Sequence, residues 1–343
     1  MFPTVGIFFI IAFLALAFAS RRLCPMKGQG FTFVVLATGG AAMTFPAAFV
    51  SWGGFELKTA ITPLVQVILL GMGLTLTLDD FRRVVTMPRG VILCCALHYT
   101  IMPLAGWGFA HLFGLQGAAA TGLILIGSVP SGTSSNVISL LARVNVPLSV
   151  TVTAVSTLLS PLITPFAMKL LAGTEAPIDA WAMMISIFKM IITPLAAGLV
   201  MQRLLPGVAR RLAGVLPYIA MFAICAIIGV TIALSHEQLL TVGLAIFAAS
   251  ACHNATGYVL GYWGGRLAGL NQTDARTCAL EVGIQNGGMA TGLAFNVLHS
   301  PAAALAAAVF GPWSAISSSA LASWWRRPAC SPSVIHPSET LPP

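Results

Sequence analysis

The segment Glu281-Val282-Gly283-Ile284-Gln285-Asn286-Gly287-Gly288 sets a carboxylate, two carboxamides and three glycines inside an otherwise apolar run from 277 to 298. Glycine permits the backbone to unwind. An ionised carboxylate in the middle of a bilayer costs at least about 2.5 kcal/mol on insertion scales. If this run crosses a membrane, it is therefore a broken helix, and unwound backbone at that depth survives only when buried in protein or facing a wet cavity.

The rest of the chain places the run in a membrane. Charged residues are 8% of the sequence and hydrophobic ones 57%, against about 25% charged in a soluble domain, so a water-soluble surface is excluded. Apolar runs long enough to cross roughly 30 Å of hydrocarbon recur at about 4 to 20, 34 to 50, 59 to 77, 91 to 113, 119 to 142, 146 to 171, 181 to 202, 214 to 235, 241 to 265, 277 to 298 and 302 to 325. The strict ten-residue alternation of a membrane barrel is absent, so the fold class is an all-α polytopic membrane protein. Cys94, Cys95, Cys225, Cys252 and Cys278 fall inside these runs and read as small apolar packing residues.

Alternate loops sort the basic residues. One side takes Arg21, Arg22, Lys27, Arg82, Arg83, Arg89, Arg143, Arg203, Arg210, Arg211, Arg266, Arg276, Arg326 and Arg327, and the other only Lys58 and Lys169. The first side is expected to be cytoplasmic and to hold the C-terminus, and the basic balance reports topology rather than nucleic-acid binding. Residues 1 to 30 read as an extra N-terminal helix with its basic loop, or as a signal-like segment whose basic residues follow the apolar stretch. Residues 328 to 343 read as a disordered cytoplasmic tail.

The remaining ten spans look duplicated. A shift of 155 places Leu97-His98 over Cys252-His253, Gly106-Trp107 over Gly261-Tyr262, Gly114-Leu115 over Gly269-Leu270 and Gly132 over Gly287, and a shift of 156 places Gly73 to Leu76 over Gly229 to Ile232. Apolar helices also resemble one another by composition alone. Five spans separate equivalent positions, so the copies, 31 to 172 and 180 to 327, are expected to be inverted, a pattern found in transporters.

The first copy has its own break at Ser128-Val129-Pro130-Ser131-Gly132-Thr133-Ser134-Ser135-Asn136. Freed carbonyls there suit a hard cation, and the half-helix N-termini beyond the breaks suit an anion. The alternative is a pair of packing kinks. Of nine acidic residues, only Glu281 lies within a span. It calls for a cation, a partner or a proton; Lys189, the one mid-span lysine, either pairs with it or snorkels to an interface. Ser149, Thr153, Ser156 and Ser160 share one helical face, where hydroxyls serve packing or join Asn136 and Glu281 in an oxygen cage.

Leu70 to Thr75 with Asp80-Phe81, Gly132 to Asn136, Leu148-Ser149 to Thr153, Ser160-Pro161-Leu162 with Thr164-Pro165, and Glu281 to Asn286 together resemble the bile acid:sodium symporter family, particularly its bacterial members. The resemblance runs from about 34 to 325. It implies ten helices in two inverted five-helix repeats, with a panel at about 34 to 77 and 181 to 235 and a core at about 91 to 171 and 241 to 325 containing two crossing broken helices. It also implies one sodium site at Ser135, Asn136, Ser149, Thr153 and Glu281. A second would use Glu281, Gln285 and the carbonyls of Val282 and Ile284, with substrate near Thr133 and Asn286, flanked by Gly132 and Gly287. In that second site the family carries a glutamine where this chain has His98. Imidazole is a poor sodium ligand, so His98 either hydrogen-bonds to Glu281, carries a proton or packs as a neutral ring.

The resulting expectation is a sodium-coupled importer in the bacterial cytoplasmic membrane, binding one or two Na+ and a small organic anion, either bile-acid-like or a small carboxylate such as pantoate. The rivals are an efflux carrier for an oxyanion or weak acid and a proton-coupled organic acid transporter. No acid, base and nucleophile constellation suggests an enzyme, no soluble output domain suggests a sensor, and no obligatory protein partner is evident.

Overall fold

The computed structural model describes residues 3–20 and 30–326. The basic residues Arg21, Arg22, Lys27 and Arg327 and the tail from 328 to 343 lie outside the described residues. Among the described residues, apart from a two-plus-two-residue hairpin, Ser51–Trp52 with Phe55–Glu56, the regular structure is helical.

The elements follow the apolar runs. The first helices are α1 (Pro3–Ala19) and α2 (Gly30–Thr44); the hairpin and two short 3-10 turns lead into α3 (Ile61–Thr75). Next come α4 (Leu78–Thr86), α5 (Pro88–Leu112), the pair α6 (Gly117–Ser128) and α7 (Ser134–Ala142), and α8 (Val146–Leu171). The stretches α9 (Ala180–Ile187) and α10 (Thr193–Leu204) are joined by a π-helical turn, Phe188–Ile192. The chain continues through α11 (Pro206–Leu234), α12 (His236–Leu267), the pair α13 (Gln272–Gly283) and α14 (Gly287–Asn296), and α15 (Pro301–Trp325). Among the described residues, seven continuous helical stretches are long and apolar enough to cross a membrane; α1, α2 and the two broken pairs complete the correspondence with the eleven runs. The protein is an all-α polytopic membrane protein.

Helix α4 is not announced by hydropathy. Its nine residues are too short to cross, and a capping box starts it: the Thr77 N–H donates to Asp80 Oδ2 over 2.7 Å, while Arg83 pairs with the same carboxyl at 2.6 Å.

Packing inverts the soluble pattern. Large apolar side chains such as Phe8, Phe222, Leu244 and Leu267 face outward, while polar groups including His98, Ser149, His253 and Glu281 are fully buried. In lipid the apolar exterior is the solvated one, and helices associate through close contact and internal hydrogen bonds. Accordingly, α3 meets α10 through Gly73 and Gly198, where an added Cβ would approach the Leu195 carbonyl oxygen to 2.2 Å and that of Leu70 to 2.5 Å. Helix α11 packs on α2 and α3, and α1 packs on α2. The broken pairs lie among α5, α8, α12 and α15.

Candidate functional site

The two breaks meet each other. Ser131 faces Gln285 as an isolated antiparallel bridge; the Gly132 N–H donates to the Ile284 carbonyl and the Asn286 N–H to that of Pro130, each over 3.0 Å. Unwound backbone at membrane depth needs such partners, and each break supplies them to the other. Gly132 is sterically required there, because a Cβ would lie 2.6 Å from the Gln285 carbonyl oxygen, whereas one on Gly287 would find only an ordinary contact at 3.6 Å.

The crossing positions Glu281. This residue is in the last turn of α13, fully buried, with its carboxylate turned toward α7 and α8. Ser149 Oγ lies 2.5 Å from Glu281 Oε1 and 2.8 Å from Asn136 Oδ1, while Thr153 Oγ1 lies 2.9 Å from Glu281 Oε2 and 3.2 Å from Asn136 Oδ1. Ser135 Oγ stands 3.2 Å from Thr153 Oγ1. Ser149 and Thr153 thus make four contacts to the three oxygens of Glu281 and Asn136, and the Ser135 and Ser131 hydroxyls also hydrogen-bond toward the carboxylate. The carboxylate has hydroxyl and carboxamide neighbours but no charged partner among the ion pairs of the described residues, a costly condition in a buried place. An oxygen-only donor set suits a hard cation. With one carboxylate, and no cluster of three His, Cys, Asp or Glu among the described residues, the charge matches a monovalent ion.

The backbone around Glu281 is in the opposite condition. His98 Nδ1 lies 3.0 Å from the Glu281 carbonyl oxygen and Nε2 lies 2.9 Å from that of Val129, so the ring spans both breaks and touches the Glu281 backbone rather than its carboxylate. Gln285 Nε2 donates to the Val282 carbonyl over 2.7 Å, while Gln285 Oε1 is buried with no hydrogen-bond partner. The Ile284 carbonyl already holds the Gly132 N–H.

Thr133 and Asn286 sit at the starts of α7 and α14, half-buried, beside the exposed Ser134. Asn286 Oδ1 caps α14 by accepting from the Met289 N–H at 3.0 Å. The two half-helix N-termini thus open toward partly accessible space next to the Glu281 oxygen cluster, and a helix N-terminus favours an anion.

The hydroxyl face of α8 divides. Ser149 and Thr153 reach Glu281, but Ser156 donates to the Thr153 carbonyl and Ser160 to that of Thr157, both within their own helix. Lys189 is exposed within the π-helical turn and is absent from the three ion pairs found among the described residues, so the alternative of a Lys189–Glu281 pair is not realised. Two contributors escaped the sequence reading. Ser139 donates to Ser149 Oγ at 3.1 Å, one helical turn beyond Ser135, and Asn254 of α12 donates to the Gly283 carbonyl at 2.9 Å. The spacing of Ser135, Asn136 and Ser139 on α7 was the available signal for the first; nothing local marks the second.

Comparison with known proteins agrees with the motifs. The profile described as "Sodium Bile acid symporter family" matches residues 62–242. The chain is 36% identical over 307 residues to the "Uncharacterized sodium-dependent transporter YocS" of Bacillus subtilis (strain 168), covering 90% of this chain and 94% of that one. It is 32% identical over 302 residues to the "Probable sodium/metabolite cotransporter BASS1, chloroplastic" of Oryza sativa subsp. japonica, covering 87% of this chain and 72% of the other. The Arabidopsis thaliana protein of the same name is 34% identical over 265 residues, 77% of this chain and 66% of its own length.

Proposed function

The chain belongs to the Sodium Bile acid symporter family, and on that premise we propose that it is a secondary active transporter that uses a sodium gradient to import an organic anion by alternating access. The observation that carries this reading is the buried oxygen cluster of Glu281, Asn136, Ser149 and Thr153, whose single carboxylate has no ion-pair partner among the described residues. The names of the relatives, a sodium-dependent transporter and sodium/metabolite cotransporters, support it.

Sodium is bound by Ser135, Asn136, Ser149, Thr153 and Glu281. Its charge neutralises the one carboxylate within the spans and draws α7, α8 and α13 together at the crossing. The organic anion sits beside it, near Thr133 and Asn286, flanked by Gly132 and Gly287. Because the same crossing holds both, sodium favours anion binding, and by reciprocal linkage the anion favours sodium. The anion is bile-acid-like or a small carboxylate such as pantoate.

Two inverted repeats, 31 to 172 and 180 to 327, would exchange conformations to turn an outward opening inward. The mutual packing of α2, α3 and α11 supports a panel and a core. The membrane is the bacterial cytoplasmic membrane, with the C-terminus in the cytoplasm, as the asymmetry of basic residues supports.

The test is uptake of radiolabelled organic anions by proteoliposomes containing the purified chain, with an inward sodium gradient or with potassium in its place. Sodium-stimulated accumulation that disappears in Glu281→Ala is expected. Accumulation indifferent to sodium, or driven only outward, would overturn the reading.

A further inference from the structure

Beyond the second break, α14 runs toward the side of Lys58 and Lys169 and packs against α3 and α9. Gly292, buried on α14, leaves a place that the thioether end of Met190 fills from the π-helical turn. An added Cβ there would lie 2.8 Å from Met190 Sδ and 3.1 Å from its Cε, with Val65 Cγ2 of α3 at 3.6 Å. One turn later Asn296 ends α14 and ties the same three elements together. Its Oδ1 accepts from Thr62 Oγ1 of α3 over 2.9 Å, and its Nδ2 donates to the Gly292 carbonyl over 2.8 Å with Met190 Sδ at 3.6 Å. Val65, Met190 and Leu293 are each at most 3% exposed. Single π-helical turns recur at functional positions of helices, where they re-aim a side chain.

The other half-helix is not seated in this way. At the shift of 155 that relates the two breaks, Gly292 and Asn296 correspond to Val137 and Leu141 of α7, and these are 58% and 42% exposed. Helix α14 is closed onto α3 and the π-helical turn, while α7 leaves the matching positions uncovered. Gly292 lies six residues beyond Asn286, about 9 Å along the helix at 1.5 Å per residue. The seat is therefore directly outside the position proposed for the anion.

We infer that Met190 seated on Gly292, with the Thr62–Asn296 hydrogen bond beside it, is the closure that shuts the anion position from the outer side of the membrane, and that the transport cycle opens it by lifting α14 off Met190. Gly292 and Met190 are positioning residues, since neither is among the groups assigned to sodium or to the anion. The inference rests on the transport reading above and adds the place where one of its two openings is sealed.

The test reads accessibility and requires no identified anion. Ser134, exposed at the start of α7, is replaced by cysteine as a reporter, and intact cells are treated from outside with a membrane-impermeant maleimide; the chain without this replacement gives the background. A thioether can turn aside from one methyl group, so the seat is filled by Gly292→Val and emptied again by adding Met190→Ala, a nearly volume-conserving exchange. Labelling of the reporter follows the population open to the outside, and a rise of about tenfold is expected in Gly292→Val, with a return to within about twofold of the parent when Met190→Ala is added. Binding of radiolabelled sodium to each purified variant, expected to match the parent, shows that the chain is folded and the Glu281 cluster intact. If Gly292→Val binds no sodium, Asn296→Leu, which cuts the Thr62 bond without filling the seat, is read in its place and is expected to raise labelling. Unchanged labelling in a sodium-binding variant overturns the closure, and a rise that Met190→Ala does not reverse overturns the seat. Absence of sodium binding in the parent overturns the coupling reading, while the labelling still judges the closure.

Discussion

The Gly132 N–H donates to the Ile284 carbonyl over 3.0 Å, joining two residues 152 positions apart in the chain at the point where both of their helices are unwound. That bond fixes how the breaks cross and therefore where Glu281 points. Because an added Cβ at Gly132 would lie 2.6 Å from the Gln285 carbonyl oxygen, Gly132→Ala must push the breaks apart. It is expected to cost about 1 to 3 kcal/mol and to weaken sodium binding. Gly287→Ala, with its nearest contact at 3.6 Å, should change neither appreciably. Thermal unfolding of the purified variants with and without sodium measures both effects; equal behaviour of the two alanines contradicts the assigned geometry.

Sodium should stabilise the protein itself. A ligand bound only by the folded state adds about 2.7 kcal/mol at 100 times its Kd. The melting temperature is thus expected to rise with sodium and not with potassium, and to be flat in Glu281→Ala and Asn136→Ala. A rise of the same size in Glu281→Ala would show that the ion binds elsewhere.

The hydroxyls of α8 should separate by function. Ser149→Ala removes a group that touches both Glu281 and Asn136 and is expected to weaken apparent sodium affinity about tenfold or more, the equivalent of roughly 1.4 kcal/mol. Ser156→Ala and Ser160→Ala remove bonds to carbonyls of their own helix and should leave that affinity within about twofold. Sodium titrations of the three variants decide this, and a matching loss in Ser160→Ala counts against it.

Asn254 has a structural task away from the ion. Asn254→Leu keeps the approximate size of the side chain but removes the N–H given to the Gly283 carbonyl and the oxygen that accepts from Ser317, leaving a buried acceptor unpaired at an expected cost of about 1 to 3 kcal/mol. Denaturant titration of the purified protein should show the loss, with an unaltered midpoint as the contrary result.

Anion and sodium should report on each other. In a thermal-shift screen of organic anions, a true substrate is expected to bind more tightly as sodium rises, and sodium more tightly with that anion present, by the same factor. Hits whose affinity ignores sodium would identify ligands of another surface.

Much of this was legible in the chain. The eleven runs, both breaks and the single acid among them follow from composition and from the meaning of Pro130, Gly132, Gly283 and Gly287 within apolar segments. Lipid leaves a chain few options, since every backbone group in it must be satisfied internally, and departures from an apolar helix therefore stand out in one dimension. Helix α4 was less visible, because a nine-residue interfacial helix depends on the Thr77–Asp80 cap rather than on hydropathy.

Sequence alone determined that Glu281 is buried in a membrane at a broken helix, because the desolvation of a charge and the unwinding at glycine are properties of the local chain. Only the tertiary structure decided what surrounds it. Ser149 and Thr153 lie on the same helical face as Ser156 and Ser160, and no spacing tells which pair reaches the acid. For His98 the sequence left open a hydrogen bond to Glu281, a carried proton or a packed neutral ring, and the structure sets its ring between the backbone carbonyls of Glu281 and Val129. Which lone pairs at the crossing are taken and which remain for an ion depends on directions fixed by α5, α7, α8 and α12 packing around two crossed breaks. Hydrogen bonds and ion coordination are directional and short-ranged, so they are settled by where the helices meet rather than by the order of residues along them.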